Sequence, residues 1–141
     1  MSARIEIEPF APDHLAQVRP QDAQAPELAA LGGLDAVRLG AAHGPAFTAL
    51  RDGRAIGCAG LIETPYGASA WALFGRDAGV SLTALTRAIR RVLAAGGYPV
   101  IDILVRDGFA RAHHFARLLG FDRVGGLDLN GERFAIYERR T

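Results

Sequence analysis

Polar and apolar residues alternate from 4 to 8 (Arg4, Ile5, Glu6, Ile7, Glu8), which predicts a half-buried strand closed by Pro9. Pro12-Asp13-His14-Leu15 opens a short helix, residues 21–26 are polar and loop-like, and 27–31 form a short helix stopped by Gly32-Gly33. Residues 35–42 supply another helical turn or two, ended by Gly44-Pro45. Two strands follow, at 46–50 and 54–63, joined by Asp52-Gly53, a two-residue hairpin signal. The second is apolar on both sides, with Ile56, Cys58 and Ile62 on one face and Ala55, Ala59 and Leu61 on the other, as a central strand requires. Gly57 and Gly60 within it imply the close approach of another backbone, a helix or a ligand.

After the turn Thr64-Pro65-Tyr66-Gly67, residues 70–74 read as the next strand. Leu82, Leu85, Ile89, Val92 and Leu93 then recur at helical spacing, with Arg87, Arg90 and Arg91 on the opposite side and Gly96-Gly97 as the stop. Residues 100–105 form a strand carrying Ile101, Ile103 and Val105 on one face. Phe109, Ala112, Ala116 and Leu119 stripe a further helix, for which Asp107 is the expected N-cap. A last hairpin, 123–129 and 133–138, turns at Asn130-Gly131. The crossover from 70–74 through a helix to 100–105 predicts a parallel pair. The fold class that results is mixed α/β: one domain spanning 1–141, with a central mixed sheet of about six or seven strands and helices on both faces.

Composition narrows the function. All 16 Lys+Arg positions are arginine, the net charge is +1, and the arginines are spread along the chain, so no nucleic-acid partner is expected. Cys58 is the one cysteine, which excludes an intrachain disulfide and a cysteine zinc cluster. His113 and His114 are adjacent on a helix, point to different faces and make a poor metal pair; no metal is expected. No apolar run reaches membrane-spanning length and the N-terminus lacks a signal-peptide core, so the expected location is cytoplasmic, or a virion interior if the gene is viral. No Ser-His-Asp arrangement, Walker loop or H-E-x-x-H motif is present.

The strongest chemical feature is the turn Gly75-Arg76-Asp77-Ala78-Gly79-Val80-Ser81, set between a strand and a helix. Backbone N–H groups and the positive end of a helix dipole converge there, the arrangement that binds a phosphate. Ser81 also reads as a plain N-cap. Glu63, at the end of the central strand, is the candidate general base; His43 reads as a loop residue, Cys58, Trp71 and Phe74 as core, and Asp102 as a carboxylate paired with an arginine.

This order of elements resembles the GNAT superfamily of acyl-CoA N-acyltransferases over essentially the whole chain. That family holds the CoA pyrophosphate on a Q/R-x-x-G-x-G/A loop after its fourth strand. Arg76 and Gly79 match the loop, and Ser81 replaces its last Gly or Ala. The ending Phe115-Ala116-Arg117-Leu118-Leu119-Gly120-Phe121 is similar to the family's closing helix, with Ala112, Phe115, Gly120 and Phe121 matching. The tyrosine that commonly protonates the departing thiolate falls on Ala116, and the asparagine that often opens this helix falls on Phe109. Short phage-encoded GNAT-like proteins, including ones related to a podovirus internal virion protein, are similar to the chain in the same respects.

The resemblance implies acetyl-CoA or another acyl-CoA as co-substrate and an amine, on a small molecule or a protein, as acceptor. Arg76, Asp77, Ala78, Gly79, Val80 and Ser81 would hold the pyrophosphate, the backbone around Leu73 and Phe74 the pantetheine, and Glu63 would act as base. The alternative is a non-catalytic GNAT fold used for protein association, with protein partners or a homo-oligomer, as in a phage virion or host-interaction component. A third is a module that binds acyl-CoA without turnover.

Overall fold

The computed structural model describes residues 5–18, 33–75 and 82–140, except the side chains of Leu34, Asp35 and Leu82. Strands β1 (Ile5–Pro9), β2 (Ala46–Arg51), β3 (Arg54–Thr64), β4 (Gly67–Phe74), β5 (Val100–Arg106), β6 (Asp122–Leu129) and β7 (Glu132–Arg140) form a seven-stranded sheet in the order β1-β2-β3-β4-β5-β7-β6. Helices α1 (Gly33–Ala41), α2 (Leu82–Ala95) and α3 (Ala110–Leu118) and a 3-10 turn, Pro12–Ala16, pack on it. The short helix expected at 27–31 lies outside the described residues.

The two hairpins form where the dipeptides demand them. Asp52 (φ 50°) with Gly53 (φ 81°) and Asn130 (φ 49°) with Gly131 (φ 83°) adopt the left-handed pairs of a type I′ turn, whose twist matches the flanking strands. β4 and β5 are parallel, as the helical crossover between them requires, and every other neighbouring pair is antiparallel.

The two faces of the sheet carry separate cores. On one, Leu61, Ala68, Ile101, Val105, Ala135 and Tyr137 meet Leu93 of α2 and Ala116, Leu119 and Phe121 at and beyond α3. On the other, Leu50, Ala55, Cys58 and Leu73 meet Leu15 and Val18, with Phe10, Val37 and Trp71 packed against them. The alternation expected along β3 fails at one point. A bulge between β2 and β3 sets Ala49 opposite Gly57 and Leu50 opposite Ala55. The extra residue shifts the side-chain phase, so Ala55 shares a face with Cys58, and Ile56 packs with Ala49 and Leu85 of α2 instead.

Asp107 does not cap α3. The N-cap is Phe109, with no side-chain cap, and the Asp107 carboxylate lies 3.5 Å from the Arg123 guanidinium. The helix is tied down by His113 instead. Its Nε2 lies 3.1 Å from the carbonyl oxygens of both Arg106 and Asp107, so this nitrogen carries the proton and donates. The fully buried Tyr137 then donates its hydroxyl to Nδ1 over 2.7 Å. His113 is therefore the bolt joining α3 to the end of β5 and to the middle of β7.

Candidate functional site

The site is an opening in the sheet itself. β4 and β5 pair only at Ala68↔Ile101, Ser69↔Asp102 and Ala70↔Ile103. Beyond that, β4 stays in register with β3 as far as Gly57↔Phe74, while β5 stays with β7 as far as Arg106↔Phe134. Each strand keeps its outer partner and loses the other, so the sheet splits. The split widens into a cleft of ≈ 670 Å³. Trp71, Leu73 and Leu104 line it on the α1 side, and Phe74, Val105 and Phe115 on the α2–α3 side.

Aromatic residues frame the cleft, and two glycines make room for them. A Cβ on Gly57 would stand 2.7 Å from the Phe74 ring, and one on Gly60 2.7 Å from three atoms of the Trp71 indole. The close approach read from these glycines is thus by side chains of the neighbouring strand. Phe74 meets Phe115 of α3 edge to face, ring centres 5.3 Å apart at 84°. Trp71 meets Phe10 in the same manner at 6.3 Å. The Trp71 Nε1 hydrogen is buried and finds no acceptor among the described residues.

The lining is otherwise apolar, with four exceptions of note: a serine, a carboxylate, an arginine and a thiol. Ser69 donates its hydroxyl to the Asp102 carboxylate over 2.7 Å, at the crotch where the two strands part. Asp102 therefore pairs with a serine across the parallel strands and not with the arginine expected from sequence. Arg111, in the first turn of α3, is an exposed guanidinium on the α2–α3 side of the cleft. Cys58 lines the wall as a buried thiol, and burial pushes its pKa up, so it stays protonated and unreactive. Its neighbour Thr48, 3.7 Å away, lies 2.6 Å from His14 Nδ1, the nitrogen that also accepts the Ala11 N–H. A nitrogen that accepts an N–H bears no proton, so Thr48 donates to His14 and fastens the 3-10 turn to the sheet.

Among the residues expected at the site, Leu73 and Phe74 lie on β4 past the split, where both line the cleft. Arg76, Asp77, Ala78, Gly79, Val80 and Ser81 lie outside the described residues, between the last described residue of that strand end, Gly75, and the start of α2 at Leu82. Glu63 pairs with Ala68, at the end of β4 where the sheet is still closed. It is exposed there, and Tyr98 donates its hydroxyl to the Glu63 carboxylate over 2.8 Å. That contact, with burial adding to it, holds the Tyr98 pKa above its ordinary value. Ala116, in the position of the family's tyrosine, is buried in the α2–α3 core. His43 follows α1 in a turn, with a ring nitrogen 2.7 Å from the Leu39 carbonyl oxygen. Ser69 and Arg111 carried no signal in the sequence, because neither belongs to a motif and their placement depends on where β4 leaves β5.

No family model matches the chain, and no curated protein matches it in sequence. Solved structures do. A GNAT-family acetyltransferase from Bacillus anthracis superposes with a TM-score of 0.70 at 11% identity, covering 97% of this chain and 95% of that one. An IAA acetyltransferase from Bacillus cereus gives a TM-score of 0.68 at 13% identity, over 98% of this chain and 100% of the other. A GNAT-family acetyltransferase from Elizabethkingia anophelis, with acetyl-CoA bound, gives 0.64 at 14% identity, over 97% and 98%. The described residues therefore have the GNAT fold. Among the described residues no helix is long and apolar enough to cross a membrane.

Proposed function

We propose that this chain is an acyl-CoA-dependent N-acetyltransferase whose thioester lies in the split between β4 and β5. The observation that carries the reading is the split itself: an apolar cleft through the sheet, beginning where the Ala70↔Ile103 pairing ends. A pantetheine arm is long, thin and largely apolar, and it needs backbone partners that a strand released from its neighbour can offer. Arg76–Ser81 precede α2 in the sequence; their N–H groups and the Arg76 guanidinium would take the pyrophosphate, with Arg111 as a further cation.

The reaction requires a neutral amine to attack the thioester carbonyl. The C–N bond forms, the C–S bond breaks, the attacking nitrogen gives up one proton to a base or to solvent, and the departing thiolate takes up one proton. A strand N–H aimed at the carbonyl oxygen stabilises the tetrahedral oxyanion. With alanine at 116, water supplies the proton to sulfur; a thiolate is a fair leaving group, so this slows the step without forbidding it. A cytoplasmic location, where acyl-CoA is made, goes with this reading.

Mass spectrometry of the freshly purified, denatured protein, followed by thiol release from acetyl-CoA over a panel of amines, tests the proposal. Bound CoA and amine-dependent thiol release are expected. Neither would leave the association reading, including its phage-virion form, as the better account; bound CoA without turnover would favour the module that binds without catalysis.

A further inference from the structure

We infer that His113 is a positioning residue for the cleft: it holds α3 across the split between β4 and β5 and so sets how far the two walls stand apart. The inference rests on the acyltransferase reading for the identity of the ligand, but its first measurement needs no ligand.

The ladder between β4 and β5 ends at Ala70↔Ile103. Beyond that row each wall is paired with its outer neighbour alone, β4 with β3 and β5 with β7. Something other than the ladder must then fix the gap. α3 touches both walls at their tips. Its Phe115 meets Phe74, the last residue of β4, edge to face with ring centres 5.3 Å apart. His113 Nε2 lies 3.1 Å from the carbonyl oxygens of Arg106, the last residue of β5, and of Asp107. Side chains two positions apart on a helix diverge by about 200°, so these two leave opposite sides of α3 and one reaches each wall.

The second bond of His113 lands at the root of the split. Tyr137, whose hydroxyl donates to Nδ1 over 2.7 Å, stands across from Ile103, in the row where β4 parts from β5. One imidazole therefore ties α3 to the tip of the β5 wall and to its root. The Arg106 carbonyl also accepts the Phe109 N–H over 3.0 Å, so the turn from β5 into α3 closes on the same oxygen. Ala116 and Leu119 anchor the far end of α3 in the core. Its first turn has no side-chain cap, so the imidazole is what fastens that end to β5. Arg111, Ala112 and Phe115 of this stretch line the cleft. A helix free to rock would carry them with it, and a ligand entering the split would bear the cost of ordering them.

The two bonds of His113 can be separated. His113→Asn keeps an acceptor near the place of Nδ1 for Tyr137 but is too short to reach the two carbonyls. His113→Gln reaches them with its amide N–H. Ring resonances of Phe74 and Phe115, read by NMR in protein labelled at its seven phenylalanines, report the contact between the walls, because each ring shifts the other. His113→Asn should move both signals and weaken acetyl-CoA about three- to tenfold by isothermal titration, the range that one net hydrogen bond supports. His113→Gln should restore both signals and bring the affinity to within about twofold of wild type. Tyr137→Phe, which spares the contact with β5, should lower stability while leaving signals and affinity as in the wild type; it separates positioning from stability, and with His113→Gln it decides the matter if His113→Asn does not fold. Unmoved ring signals in a folded His113→Asn, no rescue by His113→Gln, or the same shifts in Tyr137→Phe would each overturn the inference. Absence of acetyl-CoA binding by the wild type would instead sink the transferase reading, with the ring signals still deciding the role of His113.

Discussion

Replacing Gly60 with alanine tests how the cleft wall is built. The added Cβ would sit 2.7 Å from Cε2, Cζ2 and Nε1 of Trp71, nearer than real Cβ contacts come. The ring has little room to retreat: Phe10 meets it edge on, and a Cβ on Gly40 of α1 would already stand 3.4 Å from Nε1. Two effects oppose each other. Alanine restricts the unfolded chain and so stabilises by about 0.4–1 kcal/mol where its backbone angles are tolerated. Overpacking a filled site costs about 1–3 kcal/mol. A net destabilisation of about 1–2 kcal/mol is expected. In a Trp71→Leu background the obstacle is gone, and the same substitution should be neutral or stabilising, giving a coupling of at least about 1 kcal/mol between positions 60 and 71. Urea unfolding of the four proteins, followed by circular dichroism because the tryptophan is itself varied, measures the cycle. Gly60→Ala stabilising equally in both backgrounds would mean that the glycine is not there to admit the ring.

Other consequences follow from single contacts. Tyr137→Phe leaves His113 Nδ1 without its donor and should cost about 1–3 kcal/mol in urea unfolding; no loss would show that α3 is held by packing alone. The raised pKa of Cys58 means that the folded state holds the thiol proton more tightly than the unfolded chain does. Its contribution to stability is therefore complete below about pH 8.5, the ordinary thiol value, and is lost as the pH rises from there through the folded value. The fall in unfolding free energy between neutral and alkaline pH should be shallower in Cys58→Ala, and identical slopes would contradict the burial. Glu63→Gln should bring the Tyr98 titration down toward its ordinary value, read from tyrosinate absorbance. Because Glu63 sits at the closed end of the β4–β5 pair, the same variant should retain acetyl transfer within about threefold, well short of the roughly hundredfold or greater loss for removing a general base.

Much of the frame was legible because its signals are local. Asp52-Gly53 and Asn130-Gly131 fix their own turns through left-handed backbone, and the stripe from Leu85 to Leu93 leaves α2 one face to bury. The misreadings arise where one residue depends on a distant one. The bulge at Ile56 and Gly57 changes which side of β3 faces α2, and nothing in β3 alone announces it. Gly57 and Gly60 signalled that something bulky comes close, but the rings of Phe74 and Trp71 are its source only once β3 and β4 are in register. Asp102 was expected to pair with an arginine. Its partner, Ser69, stands 33 positions earlier and meets it only because β4 and β5 run parallel.

The most direct measurement of the central claim is isothermal titration of acetyl-CoA into the wild-type protein and a Gly79→Val variant. A saturable one-to-one heat with a negative heat-capacity change is predicted for the wild type, as apolar pantetheine leaves water for the cleft. The variant should bind at least about tenfold more weakly, since a β-branched side chain at the turn bars the backbone from the pyrophosphate. Equal binding by the two proteins would remove the Arg76–Ser81 loop from the site, and no binding by the wild type would contradict the account.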